Sequence, residues 1–91
     1  MVVVVETFRK KAVVGDLKFL LIQSSAACDS AHTIDLGSDT FAGAAMTEIL
    51  LTLVQDDAGQ DEEATWVPGT GVVTMGTLSA TGIHNILIIG Y

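Results

Sequence analysis

The stretch Ala12-Val-Val-Gly-Asp-Leu-Lys-Phe-Leu-Leu-Ile-Gln23 decides the fold class of this chain. Its side chains alternate in character from one residue to the next, which is the pattern of a β-strand. The first face carries Val13, Gly15, Leu17, Phe19 and Leu21, and the second carries Val14, Asp16, Lys18, Leu20 and Ile22. The first face is apolar and the second is mixed, so we predict one half-buried antiparallel strand over 12–23. Within it, Gly15 predicts a bulge or a close backbone approach.

Other short segments carry the same kind of signal and are separated by turn residues. These further predicted strands are Val2–Phe8, Ala31–Leu36, Ile49–Val54, Thr65–Val67, Gly71–Leu78 and Ile83–Tyr91. We expect the last two to pair with each other across Ser79–Gly82, and we expect turns at Gly37–Thr40 and Pro68-Gly69. About seven short strands predict an all-β fold, namely a single domain over residues 1–91 built as a compact antiparallel β-sandwich or jelly-roll-like domain.

The segment Phe41–Asp57 fits two structures. As a helix it would place Ala42, Ala45, Met46, Ile49, Leu50 and Leu53 on one face. As a strand it would place Ile49, Leu51 and Leu53 on one face. The β-branched residues and the acidic, turn-rich segment Asp56–Glu63 favour the strand. The choice between strand and helix for Phe41–Val54 stays open at this point.

The composition indicates that another molecule covers part of the surface. The chain has 91 residues, of which 49% are hydrophobic and only 16% are charged. A domain of this size has a limited core, so the excess of apolar residues predicts association with a partner. No apolar run approaches the roughly 20 residues of a spanning helix, and Val2–Val5 is too short for a signal sequence. We therefore expect a homo-oligomer and no membrane partner.

Two strands are apolar on both faces, Val2–Val5 and Ile86–Ile89. Such a strand lies either inside a core or in a subunit interface, and a free apolar edge invites pairing with another chain. The predicted interface residues are Val2, Val3, Val4, Val5, Ile86, Leu87, Ile88 and Ile89, with Arg9, Lys10 and Lys11 at the rim.

The charge is distributed unevenly along the chain. The net charge is −7, yet all the cations, Arg9, Lys10, Lys11 and Lys18, precede Phe19. An acidic chain is a poor ligand for a polyanion, so we expect no direct contact with nucleic acid. The cations either form a basic patch that meets an acidic patch on another protomer or lie in a solvated turn.

The reactive residue types form no recognised catalytic or metal-binding pattern. The acids of Asp56–Glu63 do not have the spacing of a calcium loop, and Gly69-Thr-Gly71 lacks the lysine of a phosphate loop. Cys28, His32 and Asp35 are too few for a zinc site and show no orienting group for a nucleophile. We expect no enzyme activity, no catalytic residue, no metal and no cofactor. Cys28 is the single cysteine, so no disulfide forms within the chain.

Four segments carry a resemblance to a known group of proteins. They are Thr7-Phe-Arg-Lys-Lys-Ala-Val-Val-Gly-Asp16, His32-Thr-Ile-Asp-Leu36, Gly71-Val-Val-Thr-Met-Gly-Thr77 and Gly82-Ile-His-Asn-Ile-Leu-Ile-Ile-Gly-Tyr91. The chain resembles small virion proteins of tailed bacteriophages, of the capsid decoration or cement type. The resemblance implies a β-sandwich, often a trimer, that is made in the host cytoplasm, binds the major capsid protein on the capsid surface and stabilises the head. No functional residue carries over.

Three other functions remain open on the sequence. One is a tail, fibre or head–tail connector subunit, which would also self-associate. Another is a carbohydrate- or protein-binding β module outside virions, in which Trp66 stacks on a ligand. The third is a small subunit of a cytoplasmic enzyme complex. A single tryptophan in a small domain is more often a packing residue.

Overall fold

The computed structural model describes residues 2–38 and 45–91, and β-strands are the only regular elements in these ranges. The strands are β1 (Glu6–Val14), β2 (Leu17–Ser24), β3 (Thr33–Asp35), β4 (Ile49–Asp56), β5 (Asp61–Glu62), β6 (Ala64–Trp66), β7 (Val72–Met75) and β8 (His84–Gly90). The all-β prediction is confirmed. The described residues form eight strands where about seven were predicted, because the acidic segment contains the short strand β5.

The strands form two antiparallel sheets in a sandwich-like arrangement. The larger sheet has the order β1-β2-β8-β4-β5, and the smaller sheet has the order β3-β7-β6. Side chains from both sheets contribute to one buried cluster, including Leu20, Ile22, Val54, Ile86 and Ile88 from the larger sheet and Ile34, Val73 and Met75 from the smaller. The chain crosses between sheets at Glu63, whose carbonyl accepts a bond of 2.8 Å from the Gly76 amide.

The segment 12–23 is a hairpin, so the prediction of one strand there is wrong. β1 ends at Val14, β2 begins at Leu17, and these two residues pair across a two-residue turn. Gly15 has a φ of 59°, and a glycine with positive φ at the first central position suits a type II′ hairpin turn. Gly15 therefore serves the turn and not a bulge within a strand.

The buried face of β2 is the mixed face, opposite to the prediction. Leu20 and Ile22 are fully buried, whereas Phe19 and Leu21 lie on the other side of the sheet. The polar residues of the mixed face do not enter the core. Asp16 lies in the turn, and the Lys18 Nζ donates a hydrogen bond of 2.6 Å to the Ala45 carbonyl.

The N-terminal segment also departs from the prediction. Val2–Phe8 is not one strand, because Val3 forms an isolated parallel bridge with Thr33 at the edge of the smaller sheet and β1 begins only at Glu6. The basic cluster 9–11 lies inside β1. The interpretation of this cluster as a solvated turn is therefore wrong.

The two C-terminal strands do not pair with each other. β7 pairs with β3 and β6, and β8 lies between β2 and β4 in the other sheet. The predicted hairpin across Ser79–Gly82 is wrong, because this segment leads from one sheet to the other. Insertion of β8 between β2 and β4 makes it the central strand of the larger sheet.

The ambiguous segment is a strand from Ile49 to Asp56, so the helical alternative is wrong for these residues. Residues 41–44 of the segment, and 39–40 of the predicted turn Gly37–Thr40, lie outside the described residues. The register of β4 against β8 shifts between Ile49 and Leu51. Because of this irregularity Ile49 is buried while Leu51 and Leu53 point outward, although simple alternation places all three on one face.

Candidate interaction surface

The larger sheet has an apolar outer face on the side away from the core. The register places Phe19, Ile89 and Leu51 side by side on β2, β8 and β4, and places Leu21, Leu87 and Leu53 side by side in the next row. These six residues are called the outer face. Leu21, Leu51 and Leu53 are 39%, 44% and 54% exposed, respectively. Apolar side chains with this exposure, contiguous across three strands, mark an interaction surface.

The outer face exists because the central strands are apolar on both sides. On β8, Ile86 and Ile88 are fully buried in the core, whereas Leu87 and Ile89 alternate with them on the outer face. An antiparallel sheet that faces water on one side normally carries polar residues there. Here the outer face is apolar, as the core face is.

One end of the outer face is closed by a row of amide side chains. Gln23, Asn85 and Gln55 stand side by side on β2, β8 and β4. The Gln23 Nε2 donates to the Asn85 Oδ1 at 3.2 Å, and the Gln55 Nε2 donates to the Asp61 Oδ1 at 2.9 Å. Asn85 and Gln55 of this amide row, together with the leucine row next to it, line a shallow groove of about 430 Å³.

The two lateral edges of the same face carry opposite charges. Lys10 of β1 is the cross-strand partner of Leu21, so it flanks the leucine row on one side. Asp61 of β5 is the partner of Gln55, so it flanks the amide row on the opposite side. The face therefore has a positive edge, an apolar centre and a negative edge.

The predicted interface residues do not all lie on this face. Leu87, Ile89 and Lys10 belong to it or flank it. Arg9 and Lys11 are the partners of Ile22 and Leu20 on the other side of the sheet, and the Arg9 Nε and Nη2 donate to the Glu6 carboxylate at 2.8 and 2.7 Å. Ile86 and Ile88 are core residues, so they are not accessible for an interface.

The valines of the N-terminus lie on the smaller sheet. The Val4 amide donates to the Thr33 carbonyl at 2.8 Å, and the Thr33 amide donates to the Val2 carbonyl at 2.9 Å. Val4 is buried in the core, and Val2, Val3 and Val5 are exposed. Part of the tetravaline is thus paired within its own chain. An interface role of the three exposed valines stays a prediction.

Sequence reasoning missed four of the six outer-face residues, Phe19, Leu21, Leu51 and Leu53. The available signal was the same as for Ile86–Ile89, because Phe19–Ile22 and Ile49–Leu51 are also continuous apolar runs. Two-sided apolarity in three strands that prove to be neighbours places apolar residues on both faces of one sheet.

The candidate nucleophile and metal ligands do not form a site. Among residues 2–38 and 45–91, no three His, Cys, Asp or Glu side chains come together in a way that could hold a metal. Burial raises the pKa of the Cys28 thiol, although a hydrogen bond with Ser24 opposes this and the nearby Asp29 adds to it. A buried thiol of raised pKa is a poor nucleophile.

His84 begins β8 on the core side and is 1% exposed. Its amide donates to the Ser24 Oγ at 2.8 Å, and its Nδ1 lies 2.9 Å from the Gly82 carbonyl, which fixes Nδ1 as the protonated nitrogen. The Nε2 is buried without a hydrogen-bond partner. This arrangement holds the imidazole in place but exposes no reactive atom.

The acidic segment contains a hydrogen-bonded turn, and Trp66 packs against the core. The Asp56 Oδ1 accepts hydrogen bonds from the amides of Ala58 and Gln60, at 2.9 and 2.8 Å, and so closes the hairpin turn between β4 and β5. Trp66 is half-buried and packs against the core cluster.

Comparison of the chain with protein-family models, with curated proteins and with solved structures finds no match. No helix in the described part of the chain is long and apolar enough to cross a membrane.

Proposed function

We propose that this chain is a structural subunit of a protein assembly, in which the outer face of the larger sheet is a subunit contact. The observation that carries the proposal is the arrangement of Phe19, Leu21, Leu51, Leu53, Leu87 and Ile89 in two rows across three adjacent strands. A chain that hides apolar residues on one side of its sheet and presents a second apolar side gains stability when a partner covers that side.

The energetics favour association of moderate strength. Covering the exposed part of Leu21, Leu51 and Leu53 contributes about 1 kcal/mol each, because full burial of a leucine contributes about 1.5–3 kcal/mol. If both partners contribute equally, the gross gain is about 6 kcal/mol before the remaining side chains are counted. Association itself costs at least about 4 kcal/mol in lost translational and rotational freedom. The contact is therefore expected to depend on protein concentration.

Within this class we propose a capsid decoration or cement protein of a tailed bacteriophage. The support is the resemblance of segments such as Thr7–Asp16 and Gly82–Tyr91 to small head accessory proteins. Such a protein needs a rigid β domain, a self-association surface and contacts to the major capsid protein, and it needs no active site. A net charge of −7 also suits a protein that stays outside the packaged DNA.

Mass spectrometry of purified particles tests this proposal, using the virus or prophage whose genome encodes the chain. We expect the chain in DNA-filled heads in a fixed ratio to the major capsid protein. Particles that lack it are expected to release DNA at a lower temperature, and addition of the purified chain is expected to restore the temperature. Absence of the chain from particles would refute the virion role. Its presence in isolated tails but not in heads would assign it to the tail.

A further inference from the structure

We propose that the outer face is covered by a second copy of this chain, packed face to face about a two-fold axis that runs parallel to the strands. This inference rests on the proposed role of the outer face as a subunit contact and names its occupant. Two sheets packed in this way form an aligned sandwich, in which strand directions differ by about 30° and the sheets lie about 10 Å apart.

The charged edges of the face support this axis. The strand order places Lys10 of β1 at one lateral edge and Asp61 of β5 at the other. Rotation about an axis parallel to the strands reverses left and right, so β1 of one copy lies over β5 of its partner. Lys10 then meets the edge that carries Asp61, and the symmetric pair forms on the other side. Two residues along a strand span about 6.8 Å, so a lysine side chain reaches from its own row to the row of Asp61.

The amide row supports the same axis independently. Rotation parallel to the strands keeps each row at its own height along the sheet. The row of Gln23, Asn85 and Gln55 therefore lies over the amide row of the partner, and the two apolar rows lie over apolar rows. Each buried amide then has amides of the partner as hydrogen-bond partners, which is what burial of polar groups requires.

The alternative face-to-face arrangement has its axis perpendicular to the strands, and it pairs neither the charged edges nor the amide rows. It lays β1 over β1, so that Lys10 lies on the same edge as the partner's lysine and no acid of the face lies there. It also turns the sheet end to end, so that, when the two apolar rows cover each other, the amide row either faces apolar side chains or overhangs the contact. Like charges at an edge and unpaired amides both disfavour this arrangement.

The projected area of the face is about half of what a stable interface buries on each partner, which suits a dimer of weak affinity. Five strands about 4.8 Å apart and three rows about 6.8 Å apart give a projected area of about 400 Å². The accessible area is larger because the side chains are uneven, and stable interfaces bury about 800 Å² on each partner. A two-fold contact produces a dimer or another even-numbered assembly, whereas the resemblance to decoration proteins implies a trimer. The measured mass distinguishes the two.

A charge-reversal cycle tests the orientation. We expect Lys10→Glu and Asp61→Lys each to weaken dimerisation by about 3- to 30-fold, because each creates two like-charge contacts per dimer. The double variant Lys10→Glu/Asp61→Lys restores affinity to within about threefold of the wild type. Lys10→Gln is a second discriminating variant: it weakens the proposed dimer but strengthens a dimer of the perpendicular arrangement, since it removes repulsion there.

Cross-linking provides a measurement that does not depend on charge. Asn85 lies on the central strand, so Asn85→Cys places two thiols opposite each other across about 10 Å in the proposed dimer. A bismaleimide of matching length is expected to join the two copies. Val67→Cys, at an exposed position outside the outer face, and the wild type, whose Cys28 is buried, are the controls and are not expected to cross-link.

The outcomes separate this inference from the proposed function. A dimer whose Kd is unchanged in all charge variants, or is lowered by Lys10→Gln, overturns the proposed orientation. The outer face then remains a subunit contact. A chain that stays monomeric but binds capsid shells through Leu53 also overturns it, because the occupant is then a capsid protein. A monomer that binds no particle overturns the proposed function itself.

Discussion

Leu53→Gln is the substitution that most selectively tests the outer face. Leu53 is the most exposed of the six residues of this face and lies outside the core cluster. Its replacement removes an apolar side chain from the centre of the proposed contact and leaves the packing between the sheets intact. The change is therefore expected to separate the stability of the fold from the stability of the assembly.

The magnitude follows from the exposure of Leu53, which is 54%. Full burial of a leucine contributes about 1.5–3 kcal/mol, so covering the exposed half contributes about 0.8–1.5 kcal/mol. Because a two-fold contact contains Leu53 from both copies, the substitution removes this burial free energy twice, a total of about 1.6–3 kcal/mol. This loss corresponds to a Kd weakened about 10- to 100-fold. The free energy of unfolding of the isolated chain is expected to change by no more than about 0.5 kcal/mol, as for most surface substitutions.

The assay combines sedimentation equilibrium, for the Kd, with urea denaturation at a concentration where the chain is monomeric, for the stability. Val67→Gln is the matched control, because Val67 is 64% exposed but lies in the segment after β6, outside the outer face. We expect this control to keep the wild-type Kd. Equal Kd values for the wild type and Leu53→Gln would show that the outer face is not the contact, and equal losses in both variants would show that the effect is general hydrophobicity.

Three further predictions concern the fold and the buried thiol. Gly71→Ala is expected to lower the free energy of unfolding by about 2–5 kcal/mol, because the position has a positive φ and the added methyl group meets neighbouring backbone. Gly59 also has a positive φ but faces open space, so Gly59→Ala is expected to lower the free energy of unfolding by only about 1–2 kcal/mol. Equal losses in urea denaturation would contradict the close approach. Val4 is buried and Val3 is exposed. Val4→Ala is therefore expected to lower the free energy of unfolding by about 1–2.5 kcal/mol, and Val3→Ala by less than about 0.5 kcal/mol. A larger loss for Val3→Ala in urea denaturation would show that Val3, and not Val4, packs in the core. Because burial raises the pKa of Cys28 above its ordinary value of 9.0, the unfolded chain loses the thiol proton first as the pH rises. The stability contributed by the protonated thiol is then lost above pH 9.0, and Cys28→Ala is expected to flatten the decline seen in urea midpoints there.

The sequence allowed the all-β class and most of the strands to be predicted, because strand patterns and turn residues are local. The turn at Pro68-Gly69 and the strands around Thr65–Val67 and Ile83–Tyr91 were recognised in this way. The hairpin at Gly15 was missed for a physical reason. A two-residue turn leaves the alternation of side chains undisturbed, so periodicity continues across it while the chain reverses. The dipeptide Gly15-Asp16 is itself a hairpin signal, and it identifies the turn that the alternation conceals.

The candidate site was only partly predictable, because two features of it are long-range. Which face of β2 is buried depends on where the smaller sheet lies, and the sequence of β2 alone does not contain that information. The position of β8 between β2 and β4 also depends on pairing between residues far apart in the chain. Leu87, Ile89 and Lys10 were identified from the sequence, but their alignment with Leu21 and Leu53 requires the sheet order.

Sedimentation velocity of the wild-type protein over a concentration series measures whether another copy of the chain covers the outer face. Over about 1–200 µM, which corresponds to binding free energies of about −8 to −5 kcal/mol, the mass is expected to rise from 9.5 kDa to twice that value. A mass that stays at 9.5 kDa throughout the series would show that no second copy covers the outer face.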